Sequence, residues 1–361
     1  MRILGWVLAA LVAVASVLTL NPEWIGVVIS PWADLTVTYP VSQVIALRSL
    51  LVAVFLVLAL VFFIAGLVRK IGYGGGTRTL VLTLVMLLVA VGHGSYTWSR
   101  GVTNPAEFAP DRDDDRITVF TMNTDGGDTG AESIAEIAGR AGADVLVLNE
   151  TPAEVAEEAA VLMDQAEQSY QVFTPVIPEG EGADSNGDEG QNEEDEASDL
   201  QPGQDIAVLI SSSLGEYVVV TPPGTHRVSL RVEPADGVGP AILGVHVTAP
   251  VAELHEEWLE DLATVMELCE PRGPRGLIIA GDFNATLDHR PLQDLQRCDD
   301  AAVEAGVGGI ATWPANLPAL IGAPIDRVLY DSQAYETVAG QVVESGRSDH
   351  RAVLVRLQPI G

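Results

Sequence analysis

The residues best equipped for chemistry lie in two short runs. Gly-Leu-Ile-Ile-Ala-Gly-Asp-Phe-Asn at 276–284 presents Asp282 and Asn284, and Ser348-Asp349-His350 stands near the end of the chain. The apolar stretch 277–280 has the length and composition of a buried strand, so the acid and the amide sit where that strand emerges. Carboxylates hold a hard cation and polarise water, an amide orients that water, and an imidazole bonds or protonates a phosphoryl oxygen. These residue types together point to metal-assisted hydrolysis of a phosphate ester.

Four more residues occupy the ends of strand-like runs. Asn123 closes 117–122, Glu150 follows 144–148, His246 lies within 241–248, and Asp326 opens 326–329. An acid at the end of a buried strand is where α/β enzymes place ligands, which singles out Glu150. Each residue also has a plainer reading: Asn123 as a turn former, His246 as a core histidine bonded to backbone, Asp349 and His350 as caps before the last strand. No single turn chemistry accounts for all of them. Arg227, Arg231 and Arg347 could meet phosphate, or could simply pair with surface acids.

Strands are expected at 117–122, 144–148, 206–210, 217–221, 227–232, 241–248, 277–280, 326–329 and 352–357, with antiparallel hairpins through 206–248. Helical patterns cover 131–141, 253–268 and 291–296. Strands and helices mix without a strict βαβ rhythm or an internal repeat, so the fold class is α/β (α+β), a mixed-sheet sandwich with helices outside.

Ahead of this lies a different kind of chain. Residues 1–100 carry three apolar runs, about 3–20, 49–68 and 79–97, each near the ~20 residues that cross a bilayer. Trp6, Trp24, Trp32, Tyr39, Tyr73, Tyr96 and Trp98 flank them as an interfacial belt would. The first run alone could be a signal peptide, with Arg2 ahead of it and Ala13-Val14-Ala15 as a cleavage-like site; two further spans favour an anchor. Arg69, Lys70 and Arg78 bracket the second loop, whereas the first has Glu23 and Asp34 and no base. The positive-inside rule then puts the N-terminus in the cytoplasm and everything after the third span outside a multi-pass cell-membrane protein. His93, near a span end, reads as interfacial.

Residues 101–116 read as a linker and 117–361 as one catalytic-sized domain. From residue 101 onward, 48 acids face 13 arginines and no lysine, a formal charge of about −35. That field repels polyanions and makes nucleic acid a poor partner, although a general acidity of the source proteome would look the same. Ten acids and no base fall within 179–199, the composition of a disordered insert. Asp184-Ser185-Asn186-Gly187-Asp188 within it lacks the glutamate spacing of a calcium loop. Cys269 and Cys298 lie in the exported half, where a disulfide is permitted, but spacing does not give the Cα separation the bond needs.

The order Asn123, Glu150, His246, Gly281-Asp282-Phe283-Asn284, Ile325-Asp326-Arg327, Ser348-Asp349-His350 resembles the endonuclease/exonuclease/phosphatase superfamily over residues 117–357. The resemblance implies a four-layer sandwich of two mixed β-sheets flanked by helices, here preceded by three transmembrane helices. It implies Glu150 as a ligand of Mg2+, or alternatively Mn2+, with Asn123 and Asp349 close to the same ion. Asp282 would activate the attacking water, with Asn284 holding it and the phosphate. Asp326 would orient His350 against the phosphoryl group, and His246 would serve the leaving oxygen as general acid. The spans-first layout is also similar to an actinobacterial group resembling the membrane phosphatase associated with glycopeptide resistance. That similarity implies a phosphorylated lipid such as undecaprenyl diphosphate, or a small phosphorylated molecule, as substrate at the outer membrane face. Two readings stay open beside it: a membrane-anchored extracellular nuclease, and a non-catalytic receptor or scaffold that keeps the fold. The sequence leaves the oligomeric state undetermined.

Overall fold

Period-two alternation along the strands decides what the domain buries and where. We describe the protein from a computed structural model, which covers residues 2–26, 34–108, 115–175 and 206–360; the acidic insert, the calcium-like run and Trp32 lie outside the described residues. In β1 (Ile117–Asn123) and β2 (Val145–Asn149), Val119, Val145 and Val147 point to one side and Phe120, Met122, Leu146 and Leu148 to the other. The larger unbranched and aromatic side chains pack on α5 (Ala131–Ala141) and α6 (Ala153–Asp164), through Ile134, Ala138, Ala156 and Met163.

The β-branched set faces a second sheet instead. That sheet contains β7 (Ala241–His246), β8 (Leu277–Asp282) and β10 (Asp326–Asp331), whose Ile242, Ile278, Ala280 and Val328 close the same inner core. On its far side Leu243, Val245 and Ile279 meet α7 (His255–Glu267) through Trp258, Leu262 and Val265. The result is the four-layer sandwich expected.

The remaining strands are β3 (Tyr170–Phe173), β4 (Ile206–Ser211), β5 (Tyr217–Val220), β6 (Leu230–Pro234), β9 (Cys298–Asp300), β11 (Tyr335–Val343) and β12 (Ala352–Pro359). The first sheet runs β11-β12-β1-β2-β4-β3 and the second β5-β6-β7-β8-β10-β9. Each is antiparallel except for one central parallel pair, β1 with β2 and β7 with β8, joined by α5 and α7 respectively. Among the strands and α-helices of the sandwich, β3, β9, β11, α6 and the one-turn α8 (Ala301–Glu304) escaped the sequence reading. The helical piece expected at 291–296 is only a short 3-10 turn, Arg290–Leu292. Cys269, just past α7, and Cys298, opening β9, form a disulfide with a Cα separation of 5.3 Å.

The apolar half corrects the expectation of three spans. Among the described residues two helices are long and apolar enough to cross a membrane, α3 (Arg48–Tyr73, 26 residues) and α4 (Thr77–Ser99, 23 residues). At 1.5 Å per residue they reach about 39 Å and about 35 Å, against a hydrocarbon core of roughly 30 Å. The first run forms α1 (Arg2–Leu18), 17 residues and so only about 26 Å long. It stops there because Asn21 caps the next short turn by accepting from the Glu23 amide, with Pro22 at its start. Between α1 and α3 the described chain contains only short turns and α2 (Val41–Ala46).

These helices are not free of the sandwich. Asp288, on the loop after β8, accepts from Arg48 Nε at 2.7 Å and from Arg100 Nη2 at 2.6 Å, all three being largely buried. Ser49 donates to the Gly322 carbonyl at 3.0 Å, and His289 Nε2 lies 3.0 Å from the Ser42 carbonyl. His93, six residues before the end of α4, is buried between helices, with Nε2 3.0 Å from Thr19 Oγ1 and its ring stacked on Phe55. The stretch read as a linker is bonded at its start, where Asn104 exchanges hydrogen bonds with Val342 of β11 and Phe108 lies under Arg356.

Candidate active site

The alternation that builds the inner core continues one step past it, and there the side chains turn polar. Counting by twos, Val145 and Val147 lead to Asn149, Ile278 and Ala280 to Asp282, Ile242 and Gly244 to His246, and Val328 back to Asp326. Asn123 ends β1 on the same face. The strand register aligns them, since Asn123 pairs with Asn149, His246 with Asp282, and Asp282 with Asp326. One end of the space between the sheets is therefore lined by carboxylates, amides and an imidazole.

Contacts knit this end together. Asn123 Nδ2 donates to Glu150 Oε1 at 3.0 Å and to Asp282 Oδ2 at 3.3 Å. Asp282 Oδ1 accepts from the Asn284 backbone at 2.8 Å, while Asn284 Nδ2 donates to the Val247 carbonyl at 2.9 Å. Glu150 and Asn284 both take left-handed backbone, φ 51° and 46°, which turns each chain sharply out of its strand. Gly281 is obligatory at φ 141°, because a Cβ there would sit 1.9 Å from the Val245 carbonyl oxygen of the neighbouring strand.

His350 reaches the same place from the turn before β12. Its Nδ1 lies 2.8 Å from Asp326 Oδ2, and its Nε2 3.7 Å from Asp349 Oδ1. Ser348 fixes that turn, donating to the Asn123 carbonyl at 2.7 Å and accepting from the His350 amide at 2.9 Å. Asp349 is half exposed, and the Trp313 indole donates to its Oδ2 at 2.8 Å. His246 is buried, with Nε2 3.5 Å from Glu150 Oε1.

The electrostatics separate the roles. Burial alone would lower the His350 pKa, but the charges of Asp326, Asp282 and Asp349 outweigh it and push it up to about 10, so the ring carries a proton. His246 goes the other way: burial, with Arg227 and His350 nearby, brings it down to about 3 and keeps it neutral. Burial and the adjacent Asp326 charge raise the Asp282 carboxyl. Burial and Asp349 raise Asp125, whose backbone amide is held by Asn123 Oδ1 at 3.0 Å.

The donor set fits a divalent cation. Glu150, Asp282, Asp326 and Asp349 converge with His350 as the one cationic partner among them, and Asp326 Oδ1 is buried with no hydrogen bond. Asp282, Asp326 and His350 each offer an atom within 4.8 Å of the others. A protonated ring already bonded to Asp326 is a poor ligand, however, so carboxylate and amide oxygens such as those of Glu150, Asn123 and Asp349 suit a hard ion better.

All eight residues singled out in the sequence for the site lie at this end. Three others were passed over: Asn149, Asp125 and Trp313. Asn149 was legible in the 145, 147, 149 alternation. Of the arginines considered for phosphate, Arg231 pairs with Glu233, Arg347 is exposed beside Ser348, and Arg227 lies close enough to influence His246. Arg327, within the Ile-Asp-Arg run, is structural: it is fully buried against Asp300 and donates to the Pro324 carbonyl.

Comparison with known proteins places the chain in a family. A family model described as the Endonuclease/Exonuclease/phosphatase family matches residues 120–350. No curated protein matches the chain. Among solved structures, it is similar to humanized D. rerio TDP2 (17% identity, TM-score 0.47, covering 68% of this chain and 99% of that one). It is similar to the endonuclease/exonuclease/phosphatase from Beutenbergia cavernae DSM 12333 (21%, 0.47, 68% and 72%) and to the human Nocturnin catalytic domain with bound sulfate (14%, 0.45, 68% and 95%).

Proposed function

The chain belongs to the endonuclease/exonuclease/phosphatase family of hydrolases acting on phosphate-ester bonds, and from that premise we propose a Mg2+-dependent phosphoesterase whose substrate is a lipid-linked phosphate or diphosphate at the outer membrane face. The observation that carries the chemistry is the convergence of Asn123, Asp282, Asp326 and His350 where the inner faces of both sheets run out.

Glu150, Asn123 and Asp349 would hold the ion, which when bound supplies Lewis acidity and neutralises phosphate charge. Asp282, raised by burial beside Asp326, is the base that takes a proton from the attacking water. Asn284, pinned through Nδ2 to the Val247 carbonyl, keeps its amide oxygen for that water. Protonated His350 offers Nε2–H to a phosphoryl oxygen as it gains charge, while Asp326 holds Nδ1 and stabilises the imidazolium. Neutral His246 is better suited to hydrogen-bonding the leaving oxygen than to giving it a full proton.

Support for a lipid-borne substrate comes from placement. The loop carrying Asn284 continues into Asp288, which clamps Arg48 at the start of α3 and Arg100 just past α4. The site therefore lies at the end of the apolar hairpin opposite Arg69, Lys70 and Arg78, the end that the positive-inside rule leaves outside. Strong negative charge also disfavours a nucleic-acid polyanion.

Purified full-length protein in detergent with Mg2+ should release phosphate from undecaprenyl diphosphate or a phospholipid phosphate, and His350→Ala should abolish it. Cleavage of DNA alone would overturn the lipid assignment.

A further inference from the structure

The chain that leads into β10 carries no charge where it borders the site of this acidic domain. Residues 311–325 (Ala-Thr-Trp-Pro-Ala-Asn-Leu-Pro-Ala-Leu-Ile-Gly-Ala-Pro-Ile) contain no Asp, Glu, Lys, Arg or His. Yet Leu317 is 42% and Leu320 53% exposed, with Trp313 at 37% beside them. Large apolar side chains gathered on a short uncharged loop are unusual on a surface this acidic, and they mark an interaction face.

The loop is firmly built. Buried Arg351, next to His350, donates to the carbonyls of Ala315 at 2.7 Å and Leu317 at 2.6 Å, and at longer range to those of Ala311 and Pro314. Trp313 and Ala323 pair through their backbones at 2.7 Å and 3.0 Å. With these carbonyls held by Arg351 and its two arms paired, the loop presents its leucines from a fixed frame.

Its position says what that is. Gly322, two residues beyond Leu320, is bonded both ways to Ser49: its carbonyl accepts from Ser49 Oγ at 3.0 Å and its amide donates to that oxygen at 3.2 Å. Ser49 lies in the first turn of α3, whose outward face begins the run of exposed Val54, Leu56, Val57 and Leu60. The loop is thus tied at Gly322 to the outer end of that helix. On the opposite side, the Trp313 indole touches Asp349 at the site.

We propose that the 313–320 loop is seated in the outer-leaflet interface of the bilayer that α3 and α4 cross, with Leu317 and Leu320 among the acyl chains and Trp313 at headgroup level. The bilayer is chosen over a protein partner because the loop is bonded to the first turn of a helix long and apolar enough to cross a membrane. The rim of the site then rests on the membrane, and a phosphate borne on an amphiphile reaches it laterally. The inference rests on the reading that α3 and α4 span, and the test separates the two.

Single cysteines at Leu320, Val57 and Val238 would each carry an environment-sensitive fluorophore in the full chain, reconstituted in nanodiscs with or without nitroxide-bearing lipid; the native cysteines are paired and do not label. Val57 reports whether α3 lies in lipid. Val238, 73% exposed before β7 and at the strand end away from the site, is the control. Leu320 should lose most of its emission to the nitroxide, as Val57 does, while Val238 keeps its own. Quenching at Val57 with none at Leu320 overturns the seated loop and leaves the spanning helices standing. No quenching at Val57 overturns both. Because no substrate enters the measurement, a failure of the lipid-phosphate reading would be seen separately.

Discussion

Asn149 on β2 and Asp282 on β8 are joined across the gap between the two sheets. The Asp282 amide donates to Asn149 Oδ1 at 2.9 Å, while Asn149 Nδ2 donates to the Val245 carbonyl of β7 at 2.8 Å. One fully buried amide thus sets the spacing between the sheet that carries Asn123 and Glu150 and the sheet that carries Asp282, Asp326 and His246. Replacing it by alanine strands a buried donor and a buried acceptor, each costing about 1–3 kcal/mol. Asn149→Ala is expected to lower the unfolding free energy in detergent by about 2–4 kcal/mol and to reduce turnover with it. A loss under about 1 kcal/mol would mean that the sheets hold their spacing without this bridge.

That residue also shows how far the sequence could be read. Five of the six motif stations were legible because each sits at one end of a strand of five or more residues with an apolar inner face, and alternation carries the pattern into the site; Ser348 to His350 stands instead in the turn before β12. Asn149 followed the same count but stood next to a more eye-catching acid. The edge strands β3 and β9 were missed because they are only four and three residues long, and α6 because its alanines carry little hydrophobic contrast. Trp313 was out of reach: its indole meets Asp349 across 36 residues of sequence, a contact set by the fold of an irregular loop.

The Asp326–His350 pair should behave as a unit. Asp326→Asn keeps the shape and a hydrogen-bonding group at Nδ1 but removes the charge that sustains the imidazolium. Turnover is expected to fall by about 10²–10⁴-fold, with the melting temperature little changed. Steady-state kinetics beside a thermal melt would decide it. A loss below tenfold would show that His350 acts without its carboxylate partner.

Metal should stabilise the fold as well as serve turnover. Four carboxylates with His350 as their cationic partner repel one another, and a bound ion relieves that repulsion. Mg2+ at a hundred times its dissociation constant would add about 2.7 kcal/mol. Chelation with EDTA should therefore lower the melting temperature, and Glu150→Gln should shift the Mg2+ titration of that temperature to higher concentration by about tenfold or more. A wild-type melt indifferent to EDTA and Mg2+ would remove the ion from this site.

Asp144, away from the site, gives the domain a pH dependence of definite sign. Its carboxylate accepts from the Thr118 amide at 2.7 Å, but burial dominates and pushes its pKa up to about 6. An acid whose folded pKa is raised costs stability when ionised. The cost is absent below about pH 4, where both states are protonated, grows as pH rises towards 6, and is complete above, at up to about 3 kcal/mol. Asp144→Asn keeps the Thr118 hydrogen bond and removes the charge. It should melt higher than the parent at pH 8 and nearly the same at pH 4. An offset that does not change with pH would place the Asp144 titration at its ordinary value.

The Arg48–Asp288–Arg100 cluster makes the last prediction, because it is where the apolar helices and the sandwich become one body. Asp288 is buried and its carboxyl is held low: desolvation opposes ionisation, but the two guanidiniums outweigh it. Taking away the shared acid leaves two arginines buried without their counter-ion, and breaking such a pair from one side costs about 3–5 kcal/mol. Asp288→Ala should therefore separate the two halves before either unfolds, exposing the chain near residues 100–104 to a protease that spares the parent. Replacing all three members by apolar residues of similar size should restore much of the lost stability, since a buried ion cluster is costly to assemble in the first place. If the single and triple variants are cleaved alike, the charges themselves provide the coupling. If neither is cleaved, the other contacts between the halves, Ser49 with Gly322, Ser42 with His289 and Val37 with His255 among them, hold them together unaided.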